Sequence, residues 1–145
     1  MTNAENVTPQ ASRRILRRIG AVLAGLILIV ILDTGLDLIM HATGIYPPWF
    51  QPMRTSLWLL AITYRTIDGL AGSYLTARLA PDRPVTHALV LGFVGVLMGT
   101  AGAIATWDKG PEFGPKWYPL ALIFIALPVS WIGGTIRQRQ LQRTV

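Results

Sequence analysis

No charged residue interrupts the chain from Ala88 to Trp107, or from Trp117 to Ile136. A helix needs about 20 mostly apolar residues to cross the hydrocarbon core of a bilayer. Inside that core each backbone N–H and C=O must be satisfied by the spanning segment itself, which leaves helices and closed barrels as the only solutions. The two runs are uniformly apolar rather than alternating, so each reads as a membrane-spanning helix. Only 14% of the residues are charged, against about a quarter in a soluble domain. The charges that remain are gathered between the apolar runs.

Two further spans follow from the same criterion. Ile19 to Leu32 is uncharged but short, and reaches a spanning length only by running past Asp33 to about Met40. Ser56 to Ala77 is long enough but carries Arg65 and Asp68 near its middle. Each such charge costs about 2.5–3.5 kcal/mol on the insertion scale. Leu57, Trp58, Leu59, Leu60, Ile62, Ile67, Leu70 and Leu75 offset much of that cost. The expected fold is all-α: a polytopic bundle of four transmembrane helices, at about 19–40, 56–77, 88–107 and 117–136, arranged as two antiparallel hairpins. Residues 1–18 form a basic segment before this membrane domain (residues 19–136), and residues 137–145 a basic tail after it. Arg13, Arg14, Arg17 and Arg18 ahead of an apolar stretch resemble the start of a signal peptide, but Asp33-Thr34-Gly35 stands where a cleavage site is needed. The first helix is expected to stay attached.

Orientation follows from the basic residues. Nine of them (Arg13, Arg14, Arg17, Arg18, Arg78, Arg83, Arg137, Arg139 and Arg143) lie before the first span, between the second and third, or after the fourth. Only Arg54, Lys109 and Lys116 lie in the other two loops. Both termini are therefore expected in the cytoplasm. The same placement accounts for the net charge of +6 without a nucleic-acid partner; the lipid bilayer is the expected one. With no cysteine, disulfides, thiolate metal sites and cysteine nucleophiles are excluded.

The loops expected on the outer side contain Pro47-Pro48-Trp49-Phe50 and Pro115-Lys116-Trp117-Tyr118-Pro119. Tryptophan and tyrosine favour the membrane interface, and proline suits the first turn of a helix. The second and fourth helices both follow such a segment and both end in two small residues, a hydroxyl and arginine: Ala71-Gly72-Ser73 with Arg78, and Gly133-Gly134-Thr135 with Arg137. This hints at two hairpins related as parallel repeats.

The third helix carries small residues at Ala88, Gly92, Gly95, Gly99, Gly102 and Thr106. Steps of four and three keep them on one seam, and such seams let membrane helices approach closely. Gly92, Gly95, Gly99 and Gly102 are thus the expected packing surface, against a neighbouring helix or a second copy. On the second helix Ala61, Arg65, Asp68, Gly72 and Thr76 share one side, with Leu59, Leu60, Ile67, Leu70 and Tyr74 opposite. The first set is expected to face the bundle. A shorter seam on the fourth helix holds Ala126, Ser130 and Gly133, with Pro128 expected to bend it.

Asp33, Asp37, Arg65 and Asp68 are the ionisable residues expected inside the membrane. Asp33, Asp37 and His41 recur every four residues and form one stripe; Arg65 and Asp68 share a face. If the first hairpin turns near Pro48, Asp33 and Arg65 fall within about one turn in depth and can pair, with Asp68 a turn deeper and Asp37 near the outer surface. Intramembrane charges are costly and are functional candidates by default. Three aspartates against one arginine cannot all be neutralised by pairing, so a carboxyl left over is suited to a proton or cation. His41 reads as an interface residue.

Enzymatic signatures are incomplete. Asp33-Thr34-Gly35 spells the aspartic-protease triplet, but that chemistry needs a second carboxylate in a β-rich fold. Asp68-Gly69 with Ala71 and Arg78 is similar to part of the alcohol phosphotransferase pattern, whose further metal-holding aspartates are missing from the uncharged third helix. No phosphate loop, paired-histidine zinc motif or nucleophile elbow occurs. Asn6-Val7-Thr8 fits a glycosylation sequon on the expected cytoplasmic side. No catalytic residue, metal or cofactor is assigned.

The Gly69 to Gly72 helix exit, the Pro115 to Tyr118 segment and Gly133-Gly134 together resemble those of small four-helix inner-membrane proteins of bacteria, a group that brings no established activity. The resemblance implies the architecture and an inner-membrane location. Two functions are expected from the residues. One is a membrane-embedded accessory or structural protein that self-associates or binds a membrane partner. The other is a small proton- or cation-coupled transporter or channel using Asp33, Asp37, Asp68 and Arg65.

Overall fold

The computed structural model describes residues 9–143. The Asn6-Val7-Thr8 sequon and the ends of both basic segments lie outside the described residues. Four helices follow in order: α1 (Pro9–Ala42), α2 (Thr55–Leu79), α3 (Pro84–Thr106) and α4 (Trp117–Arg143), with a single 3-10 turn at Pro111–Phe113 before α4. No strand occurs among the described residues.

Helices α1, α3 and α4 are long and apolar enough to cross a membrane. At 25 residues α2 has the length, but Arg65, Asp68 and its hydroxyl residues lower its hydropathy, and it is not among the three. It instead occupies the centre, packing on α1, α4 and α3, while α3 and α4 form the most extensive interface and α1 rests mainly on α2. The 34 residues of α1 span about 50 Å, well beyond the ~30 Å of a hydrocarbon core. Its first turns carry the arginines, so the helix begins well before residue 19. The α4 helix likewise continues into the basic tail, and runs through Pro128 with that position's backbone hydrogen bond missing.

Local sequence sets the ends. Pro84 occupies the first turn of α3, where a missing N–H costs nothing. The connection at 80–83 is short, as between antiparallel neighbours, and turns through Arg83 in the left-handed region at φ 41°. There Arg18 of α1 donates to Asp82 at 2.5 Å, and this guanidinium holds the Asp82 carboxyl below the usual carboxylate range.

The distribution of side chains is the reverse of a soluble core. Buried positions are small or polar: Ala21, Ala61, Ala77, Ala88, Ser73, Thr76 and Ser130. Large apolar residues point outward, with Phe124 84% and Ile104 75% exposed. Water would penalise such a surface; lipid would not, and membrane bundles are held by close packing of small residues instead. The closest approach is between α1 and α2. A Cβ on Gly25 would lie 2.5 Å from the Gly72 carbonyl oxygen, and one on Gly72 would lie 2.7 Å from that of Gly25.

Candidate functional site

On α2 the expected division holds in part: Leu70 and Tyr74, expected to face outward, are half-buried beside Gly133 of α4, and Tyr74 donates to Gln140. Ala61, Asp68, Gly72 and Thr76 are buried, whereas Leu59, Leu60 and Ile67 are exposed. The buried side meets the aspartate stripe of α1. Arg65 Nη2 donates to Asp37 Oδ2 at 2.6 Å, and Arg65 Nη1 reaches Asp33 Oδ2 at 3.5 Å. The pairing of Asp33 with Arg65 is therefore present but is the looser of two. Asp37, expected near the outer surface, is the closer partner. The cause is a tyrosine that periodicity did not single out: Tyr64 donates its hydroxyl to Asp37 Oδ1, holding that carboxylate in toward α2. Tyr46, from the 43–54 loop, places its hydroxyl 3.4 Å from that of Tyr64 and 3.4 Å from the Leu57 carbonyl. Burial pushes the Tyr46 hydroxyl above its usual range, so it remains a neutral donor.

Asp68 lies apart from this network. Only 5% exposed, it makes no ion pair among the described residues, and its Oδ2 has no hydrogen-bond partner. Asp33 Oδ1 is likewise without one. The two carboxyl groups lie near enough to interact electrostatically. A hydrogen bond between carboxyls requires one proton between them, because two facing carboxylates repel.

Two cavities meet at this cluster. An open cleft of 410 Å³ runs among the helices past Ile29, Asp33, Arg65, Gly95 and Val129. A smaller chamber of 170 Å³ lies toward the tryptophan-rich end, bounded in part by Asp37, Trp49 and Trp58. Arg65 and Tyr118 belong to the walls of both, so they form the partition. Asp33 faces the cleft and Asp37 the chamber, and Arg65 bridges them.

The α3 seam faces α4 along most of its length. A Cβ on Gly92 would lie 2.8 Å from Ser130 Cβ, one on Gly95 3.5 Å from Ala126 Cβ, and one on Gly99 2.9 Å from Ile123 Cγ1. Gly102 differs: nothing lies within 4 Å of that position. Ser130, part of the short α4 seam, accepts a hydrogen bond from Ser73 at 3.0 Å. His41 stacks on Trp49 with centroids 3.5 Å apart, and its Nδ1 lies 2.8 Å from the Asp37 carbonyl.

Sequence reasoning missed Tyr64, Tyr46 and Gly25, and read Tyr118 as an interface residue rather than as a wall between the two cavities. A signal existed for two of them. Tyr64 lies four residues before Asp68 and so shares its face, and Ala21 with Gly25 forms a small-xxx-small pair. Tyr46 sits in a loop, where no period points to it. No group of three or more metal-ligating side chains occurs among the described residues.

In comparisons with known proteins, no family model, curated protein or solved structure matches the chain.

Proposed function

We propose that this chain is a small proton- or cation-coupled transporter or channel of the inner membrane, with four spans and both termini cytoplasmic. The observation that carries the reading is the state of Asp68. It is buried, makes no ion pair among the described residues and lies near the Asp33 carboxyl, while the single arginine of the cluster is held by Asp37. A buried carboxylate left in this way is expensive, and a proton or monovalent cation shared between Asp33 and Asp68 relieves the cost. The cleft reaches Asp33 from one side and the chamber reaches Asp37 from the other, so Arg65 can exchange between Asp33 and Asp37 as the pair loads and unloads. The resemblance to small bacterial four-helix inner-membrane proteins agrees with the architecture and is silent on the cargo.

Purified chain in proteoliposomes tests this. Under an imposed pH gradient, proton or cation flux is expected from the native chain, with loss of at least about 90% in Asp68→Asn and Asp33→Asn, while thermal unfolding shows both variants folded. Equal flux in Asp68→Asn would remove the reading.

A second reading, a membrane-embedded accessory protein that associates with itself or a membrane partner, is favoured by the closed knot of Arg65, Asp37, Tyr64 and Tyr46. That knot pins α1, the 43–54 loop and α2 together, as a purely structural cluster would. Under it, both asparagine variants keep full function in any assembly.

A further inference from the structure

The chamber at the tryptophan-rich end has chemistry that the Asp33–Asp68 pair does not use. Its walls are rich in aromatic rings. Trp49, Trp58, Tyr46, Tyr64 and Tyr118 line it, with His41 stacked behind Trp49. Its charged wall is acidic on balance: Asp37 and Glu112 contribute two carboxyls against the one guanidinium of Arg65. Glu112 makes no ion pair among the described residues. Aromatic faces carry negative charge density and attract cations, above all quaternary ammonium groups whose charge is too diffuse to demand hydrogen bonds.

Other ligand classes fit less well. Hard metal cations need a shell of oxygen ligands, and here the walls are rings, with the Asp37 oxygens already engaged by Arg65 and Tyr64. Anions would face two carboxyls. A neutral apolar molecule would bury Glu112 without compensation. The volume of 170 Å³ lies below the range of pockets that take drug-sized ligands, about 300–1,000 Å³, and so limits the occupant to a small head group.

The mouth is open and shaped. Trp49 is 55% exposed and Phe50, beside it, 81% exposed. Phe50 is held at φ 64°, a left-handed conformation uncommon for any residue with a bulky side chain. The loop thereby turns sharply at the rim, next to the Trp49 ring. Trp58, another wall of the chamber, packs against Gly114, which at φ 91° has no side chain to displace the ring.

We infer that this chamber is a binding site for a small quaternary or methylated ammonium cation, held by the rings of Trp49, Trp58 and Tyr118, with Glu112 supplying the unpaired counter-charge and Asp37 shared with Arg65. A cation seated there competes with Arg65 for Asp37 and pushes the guanidinium toward Asp33 and Asp68. As the cargo of the transporter proposed above, the inference rests on that reading; as a binding site it stands without it.

The test is equilibrium binding of radiolabelled choline to the full chain in lipid nanodiscs, with no gradient, and with competition by 3,3-dimethylbutan-1-ol, the neutral molecule of the same shape. Saturable choline binding that tetramethylammonium displaces and the neutral alcohol does not is expected. Trp49→Leu should weaken it by about 2- to 30-fold, the range of a cation–π contact. Glu112→Gln should also weaken it, and Trp131→Leu, on an exposed part of α4, should leave it unchanged. Equal displacement by the neutral alcohol would overturn the inference, as would absence of saturable binding or insensitivity to both Trp49→Leu and Glu112→Gln. Because binding is read without flux, the two proposals fail separately. A chain that binds choline but carries no coupled flux keeps the site and loses the transporter; one with proton flux and no choline binding does the reverse.

Discussion

Arg65 faces two carboxylates and holds one of them closely. Its contact with Asp37 is 2.6 Å and that with Asp33 is 3.5 Å. Both pairs are partly shielded from solvent, so the difference in distance carries into energy more than it would at a surface. Double-mutant cycles on thermal stability in detergent or lipid, with Asp37→Asn, Asp33→Asn and Arg65→Gln, should give a coupling of about 1–3 kcal/mol for Asp37–Arg65 and a smaller one for Asp33–Arg65. Arg65→Gln alone should be the most damaging single change, because it strands the carboxylates of Asp33 and Asp37 at once. A larger coupling to Asp33 would reverse the assignment of which carboxyl is free to load. The four charged residues were legible from spacing alone, because few other charges occur in the apolar runs. Their pairing order was not. It depends on Tyr64, whose hydroxyl reaches Asp37 from a position that hydropathy treats as ordinary membrane filler.

At the scale of helices, glycines on a common seam do different work. On α2, the Cβ of a Gly72→Ala variant would lie 2.7 Å from the backbone oxygen of Gly25, and backbone cannot step aside as a side chain can. On α3, Gly92→Ala would crowd Ser130, whereas Gly102→Ala would meet nothing within 4 Å. Gly72→Ala and Gly92→Ala should each destabilise by about 1–3 kcal/mol. Gly102→Ala should be neutral or stabilise by up to about 1 kcal/mol, since alanine restricts the unfolded chain more than glycine does. Unfolding midpoints of the three variants, measured in one detergent, check the order. The seam itself could be read from a step of four and three, because glycine stripes have few other uses in an apolar helix. Which of its members touch α4 could not, since Gly102 borders the cleft and no residue of α3 marks the change.

At the scale of the whole molecule, the status of α2 decides the topology. Three helices satisfy length and hydropathy, and an odd number of crossings would leave the termini on opposite sides. Yet Arg13, Arg14, Arg17 and Arg18 at one end of the chain and Arg137, Arg139 and Arg143 at the other both favour the cytoplasmic side. Both preferences are met only if α2 also crosses. Its packing makes this affordable: Asp68 is buried inside the bundle and Arg65 is held against α1, while Leu59 and Ile67 face outward. Average hydropathy cannot register that division, because it scores a charge alike wherever it points. The absence of cysteine makes the matter measurable with single substitutions at exposed loop and tail positions. In intact cells, a membrane-impermeant maleimide should label Gln51→Cys and Lys109→Cys and spare Pro81→Cys and Gln138→Cys, with all four reacting after permeabilisation. Labelling of Gln51→Cys, Pro81→Cys and Gln138→Cys from outside, with Lys109→Cys spared, would mean an odd number of crossings, with the α4 end exported. The Arg65 cluster would then lie at the membrane edge, where water rather than Asp37 could satisfy it.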